Sequence, residues 1–219
     1  MPIIQHVEIY DFQYNVKDMG SAFQNAHNHV GYLENSILPI QKYAIVIECT
    51  DGSRGEYVTQ WGGQRPALQQ TLQLVCDLPG KNSDCREELY NNWNRRLCHT
   101  DHMGQGPVDI CLWDLAGKQC GKSISAMLGR FRNKIPAYAS TYHGDHTGML
   151  DSYEAFTDFL EYCKSIGYQA FKHHGWFDGN ARTEATLITK LREKAGSNFV
   201  LMYDGASDLA TFADALYVG

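Results

Sequence analysis

Residues 167–174 read Gly-Tyr-Gln-Ala-Phe-Lys-His-His, and the reading of this stretch decides the fold. Tyr168 to His174 has the length and apolar content of a buried strand, and it carries a lysine and two histidines at its end. It follows Ser152 to Ile166, an amphipathic helical pattern closed by Gly167, and precedes a second helical pattern, Thr183 to Ala195, closed by Gly196. Ile135 to Tyr142 and Phe199 to Tyr203 are strand-like on either side, and a fourth helix begins before Gly219. Strands alternating with helices at this spacing predict parallel strands joined by right-handed crossovers. Three such strands form an incomplete sheet, because parallel sheets are covered on both faces. A (β/α)8 barrel takes about 250 residues by itself, so the expectation is a partial barrel in a truncated chain or partial gene product.

Upstream the grammar differs. Ile3 to Phe12 reads as a half-buried strand. Tyr43-Ala-Ile-Val-Ile-Glu-Cys-Thr50, then Asp51-Gly52, then a run to Val58 reads as a hairpin, since Asp-Gly supplies the positive φ of a tight turn. Residues 13 to 40 show no period and are expected to form a long loop, a place where lids are often found. Ala67 to Val75 and Asp84 to Leu97 are helical by their three- and four-residue spacings. A further helix follows Pro107, with Val108, Cys111, Leu112 and Leu115 on one face. An α+β domain over 1–130 is therefore expected ahead of an α/β barrel segment over 131–219.

Composition narrows the function classes. The net charge is -6 and the pI about 5.8; the longest basic cluster is Asn94-Arg95-Arg96, so a phosphate-backbone partner is not expected. No run of about 20 apolar residues is present, and the N-terminus lacks a charged region followed by an apolar core, so neither a membrane nor secretion is expected. The seven cysteines include no C-x-x-C pair, which fits a reduced, cytoplasmic compartment better than a disulfide framework or a zinc ribbon.

In parallel α/β folds ligands bind at the C-terminal strand ends. Those ends are Thr141-Tyr142-His143, Lys172-His173-His174 and Tyr203-Asp204. Strand alternation puts Lys172 and His174 on one side and His173 on the other, and the first pair is assigned to the barrel interior. There a lysine and a histidine are costly unless used or paired; a solvated pair just past the strand is the plain alternative. Asp204 emerges from a buried strand, where a carboxylate suits a hard cation such as Mg2+. Its plain alternative is a helix N-cap, a role Ser207 or Asp208 would fill better.

Together these residues resemble a known family. Gly106 to Lys118, Ile124 to Gly129 and Ile135-Pro-Ala-Tyr-Ala-Ser140 look like the join between capping domain and barrel in the mandelate racemase/muconate lactonizing branch of the enolase superfamily. Gly167 to His174 resembles its second barrel strand and Leu201 to Asp204 its third. The resemblance implies Mg2+-assisted removal of the proton α to a carboxylate, through an enediolate that is reprotonated or loses a β-hydroxyl. It implies Asp204 as the first metal ligand. Lys172 would be the first member of a Lys-x-Lys motif that contacts the substrate carboxylate. His174 stands where that motif has its second lysine, often the base, and histidine can still accept a proton near neutral pH.

The substitution disfavours a racemase with a symmetric lysine base and favours dehydration of a sugar acid. A racemase or epimerase, or a non-catalytic scaffold, is the alternative. The remaining metal carboxylates of the family lie on later strands, so the 219-residue chain alone is expected to be inactive. Substrate contacts are expected from His27, His29 and Trp61 in the capping-domain loops and from Tyr142 and His143, and a homo-oligomer is expected. A zinc site built from His143, His146, His173 and His174 matches no H-E-x-x-H or Cys/His spacing. No G-x-G-x-x-G follows a strand, which disfavours a nucleotide fold.

Overall fold

A computed structural model of the chain describes residues 2–21, 30–59, 64–141, 149–176, 180–205 and 209–219. Contacts divide it into two compact units, Met1–Tyr14 with Pro39–Asn133, and Asn15–Leu38 with Lys134–Gly219. The segment 15–38 groups with the second unit.

The first sheet has the order β1 (Ile4–Ser21), β2 (Val30–Cys49), β3 (Arg54–Val58). β2 and β3 are antiparallel, with Ala44 opposite Val58 and Glu48 opposite Arg54. Asp51-Gly52 makes the turn between them, with Gly52 at φ 80°. Asp51 supports the turn by accepting from the Ser53 N–H at 3.0 Å. Along β1 and β2, Asp11 accepts from Gln41 and Asp18 accepts from the Asn35 N–H, so one number rises as the other falls and these strands too are antiparallel.

The expected loop over 13–40 is therefore corrected. Its described residues extend β1 and β2 into a long ribbon. Tyr10, Phe12 and Tyr14 are exposed, as are the other residues from 10 to 15, so this stretch of β1 has no buried face to imprint a period of two.

Further along β2, Tyr43, Ile45, Ile47 and Cys49 alternate inward and are buried. They meet Leu74 and Val75 of α1 (Gln64–Val75), Leu89 and Trp93 of α2 (Arg86–Arg96), and Val108, Cys111, Leu112 and Leu115 of α3 (Gln105–Cys120). Each side chain of this size removed from water contributes about 1.5–3 kcal/mol, enough to hold one helical layer on one sheet face. The buried Tyr43 and Thr71 hydroxyls are paired: Tyr43 Oη lies 2.9 Å from Thr71 Oγ1, which donates to the Gly104 carbonyl. α4 (Ile124–Met127) is one turn capped by Ser123.

The second sheet is parallel, in the order β4 (Ala139–Ser140), β5 (Ala170–His173), β6 (Val200–Tyr203). Two crossover helices connect the strands, α5 (Tyr153–Ser165) and α6 (Ala181–Ala195), and α7 (Phe212–Val218) follows. Ser152 accepts from the Ala155 N–H, Asn180 from those of Arg182 and Thr183, and Thr211 forms a capping box with Asp214. α5 and α6 cover one sheet face with Phe156, Leu160, Leu187 and Leu191, all packed around Phe171. Among the described residues the first strand starts later than the expected 135: Ala139 and Ser140 pair opposite Phe171 and Lys172, the Thr141 N–H continues the ladder to the Lys172 carbonyl, and Ile135 is exposed. The fold class is thus an antiparallel three-stranded sheet with helices, followed by a parallel three-stranded sheet with helices, consistent with a capping domain and the start of a barrel.

Candidate functional site

The parallel sheet sorts its side chains by register. Ser140 lies opposite Lys172 and Lys172 opposite Met202; alternation adds His174 and Asp204 to this face. On the other face lie Phe171 opposite Leu201 and His173 opposite Tyr203. Phe171 and His173 are buried beneath the helices, whereas Lys172, His174 and Asp204 are part-exposed on the face that α5 and α6 leave open. Asp204 follows β6 directly and its backbone N–H donates to the His173 carbonyl at 3.0 Å, which fixes its carboxylate at the strand end.

The three side chains meet at one atom. Lys172 Nζ donates to Asp204 Oδ2 at 2.9 Å, and His174 Nε2 lies 3.1 Å from the same oxygen. The Asp204 carboxylate raises the Lys172 pKa above the ordinary lysine value, chiefly through this hydrogen bond; partial burial opposes it. The Tyr138 ring sits beside the ammonium, 5.4 Å from Nζ to the centroid, and adds attraction without adding charge.

His174 is held on its other side by Thr141. Its backbone N–H donates to Thr141 Oγ1 at 3.2 Å and its ring Nδ1 lies 2.6 Å from the Thr141 carbonyl oxygen. A carbonyl only accepts, so this contact places a proton on Nδ1. Nε2 is then the nitrogen turned toward Asp204: protonated it donates to the carboxylate, and neutral it presents a lone pair at the same point.

Asp204 fits a hard cation as one oxygen ligand, on a rim that also carries a cationic and a basic group. Among the described residues no group of three or more His, Cys, Asp or Glu converges to hold a metal. Among the described residues, the helix that follows Asp204 is capped by Thr211; Ser207 and Asp208 lie outside them. His27, His29, Trp61, Tyr142 and His143 also lie outside them. His173 is remote from any metal role, with its ring packed between Phe156 and Tyr203.

The sequence reading gave no supporting role to two residues near the site. Thr141 is buried with all its polar atoms directed at Lys172 or His174. Glu184 is buried on α6 and accepts from the Trp176 N–H at 2.8 Å, holding the chain just past His174. The Trp176 indole in turn donates to the Leu150 carbonyl at 2.9 Å. A glutamate at a helical position next to apolar residues gives no sequence signal of burial, and a threonine at a strand end gives none of its role.

No protein-family model matches the sequence. Among solved structures, the chain resembles D-glucarate dehydratase from Agrobacterium tumefaciens complexed with magnesium, at 22% identity and TM-score 0.80, covering 99% of this chain and 57% of that one. It also resembles a member of the enolase superfamily from Polaromonas, at 19% identity and TM-score 0.75, covering 99% and 55%. A mandelate racemase/muconate lactonizing enzyme matches at 19% identity and TM-score 0.73, covering 100% and 57%. The chain thus spans little more than half the length of the structures it matches. Its fold is that of the N-terminal portion of enolase-superfamily, mandelate racemase-like chains.

Proposed function

We propose that the complete protein is a Mg2+-dependent enzyme that removes the proton α to a carboxylate, with an acid sugar as substrate and dehydration as the outcome. The observation that carries this reading is the convergence of Lys172 Nζ and His174 Nε2 on Asp204 Oδ2 at one strand-end rim. It puts a permanent cation, a proton acceptor and an oxygen ligand within one substrate's reach.

The roles follow from the chemistry of each group. Lys172, held cationic by its surroundings, binds the substrate carboxylate and offsets the negative charge that grows on it during proton removal. His174, with a proton on Nδ1, offers its Nε2 lone pair to the α-proton once Asp204 is engaged elsewhere. The C–H electron pair passes into the enediolate. Its collapse expels the β-hydroxyl, which leaves as water with a proton from a general acid on the opposite side. A Mg2+ held in part by Asp204 would supply further positive charge beside the substrate carboxylate. His27, His29, Trp61, Tyr142 and His143 would set substrate preference. The protein is further read as cytoplasmic and homo-oligomeric.

Histidine at position 174, where the motif has its second lysine, disfavours a racemase with a symmetric lysine base and favours dehydration. The polypeptide of the complete reading frame is tested with acid sugars and Mg2+ in deuterated water. Formation of a keto-deoxy acid carrying deuterium at the carbon that lost its hydroxyl, where the enol takes up a solvent proton, is expected, with a loss of about 100-fold or more in His174→Ala. Unchanged turnover in that variant removes His174 from the base role. The 219-residue chain, with one carboxylate among the described site residues, is expected to show no exchange; measurable exchange by the pure chain refutes that expectation.

A further inference from the structure

Thr141 is held at the rim by several hydrogen bonds, although alternation along its strand turns its side chain to the face opposite Lys172. It is buried at 2% exposure. Its N–H donates to the Lys172 carbonyl at 3.0 Å, its Oγ1 accepts from the His174 N–H at 3.2 Å, and its carbonyl lies 2.6 Å from His174 Nδ1. The first of these bonds belongs to the ordinary ladder between parallel strands. The other two do not, because His174 lies beyond the last paired residue of β5. They tie a residue just past its strand to the residue just past the neighbouring strand.

We propose that Thr141 is a positioning residue, which fixes the His174 ring in the Nδ1-protonated form and aims Nε2 at the rim. The proposal rests on the reading of His174 as the base. The hydroxyl and the carbonyl act together: Oγ1 anchors the His174 backbone, which sets where the ring starts, and the carbonyl then selects which nitrogen keeps the proton. A neutral histidine has one proton for two nitrogens. Without the carbonyl contact the proton is free to occupy Nε2, and a ring protonated there cannot take a proton from substrate. Valine at position 141 keeps the shape but leaves the His174 N–H without its acceptor, so the strand end shifts and the ring loses its register with the carbonyl. Serine keeps the acceptor and the register.

Nuclear magnetic resonance of the 219-residue chain with 15N-labelled histidine reads the ring directly, and His174→Gln assigns its signals. The expected result is a His174 Nδ1–H signal protected from exchange with water. It should be lost in Thr141→Val and in Thr141→Ala and kept in Thr141→Ser. Thr141→Ala gives the same reading if the valine variant does not fold. A protected Nδ1–H that persists in either folded variant overturns the proposal, as does its loss in Thr141→Ser. In the complete enzyme, Thr141→Val is expected to lower kcat by about 10- to 100-fold with little change in KM, since a small misplacement of a reacting group costs rate more than binding. Thr141→Ser should restore it. If His174→Ala turns over normally while the Nδ1–H signal still follows position 141, the base assignment has failed and the positioning role stands.

Discussion

Lys172 Nζ and Asp204 Oδ2 stand 2.9 Å apart on the same face of neighbouring parallel strands, part-exposed rather than sealed. The carboxylate is the first cause of the raised lysine pKa. A group whose folded pKa is raised adds stability that is fully present below its unfolded pKa, about 10.4 for lysine, and is lost as pH rises through the folded value. The pair is therefore intact through the neutral range. Asp204→Asn keeps the shape and one acceptor oxygen but removes the charge. The Lys172 side-chain resonances, followed against pH, are expected to titrate lower in Asp204→Asn than in the parent chain. An unshifted titration would show that another group holds the ammonium.

In the first unit, Gly55 of β3 lies close against α3. A Cβ there would lie 2.2 Å from the Cys111 carbonyl oxygen and 2.7 Å from Leu115 Cβ, both on α3. The first obstacle is backbone, which cannot turn aside, so α3 must lift from the sheet. Gly55→Ala is expected to destabilise the chain by about 1–3 kcal/mol or more, as overpacking does. Urea unfolding measures it, and a midpoint equal to that of the parent chain would contradict the packing described.

How much of this was legible in the sequence depended on whether burial left a pattern. The Tyr43 to Val58 hairpin was readable because one face is buried and Asp51-Gly52 marks the turn. α5 and α6 were readable within about two residues because each has an apolar stripe and a capping side chain. The outer ribbon of β1 and β2 was not readable, since exposed antiparallel strands are held by backbone pairing that any sequence can supply. At the rim, period two sorted Lys172 and His174 from His173. What the sequence hid was the support: the Thr141 and Glu184 side chains each accept a backbone N–H, and a polar residue bonded to backbone looks like any other polar residue.

Glu184 gives a sharper test of that support. Gly175 has φ 68°, a conformation L side chains rarely adopt, and a Cβ there would fall 2.0 Å from Glu184 Oε2. Gly175→Ala thus meets both strain and a clash with a carboxylate too buried to swing away. The left-handed backbone alone costs about 1–2 kcal/mol. Gly175→Ala is expected to cost more than that, and Glu184→Ala to be destabilising alone because the Trp176 N–H loses its acceptor. The double variant should lose less than the sum, since the smaller residue removes the clash. Strict additivity in the measured unfolding free energies would mean that the two residues do not meet.

The last expectation concerns acid. His173 is buried against Phe156 and Tyr203, and neither ring nitrogen meets hydrogen-bond geometry with a partner among the described residues. Burial pushes its pKa down to about 4; the Met202 carbonyl nearby works weakly the other way. An unfolded histidine titrates near 6.5, so between about pH 6.5 and 4 the unfolded chain binds a proton that the folded chain refuses. Stability therefore falls as pH drops through this window, by on the order of 3 kcal/mol in all for this one residue. His173 lines a cavity of about 280 Å3 with Leu191, Leu201 and Tyr203, which leaves room for the slightly larger phenylalanine. His173→Phe removes the titrating group and keeps the ring packing. Its unfolding free energy should exceed that of the parent chain by a growing margin as pH is lowered through the window. A margin that stays constant with pH would show that His173 takes up its proton without leaving its place beneath the helices.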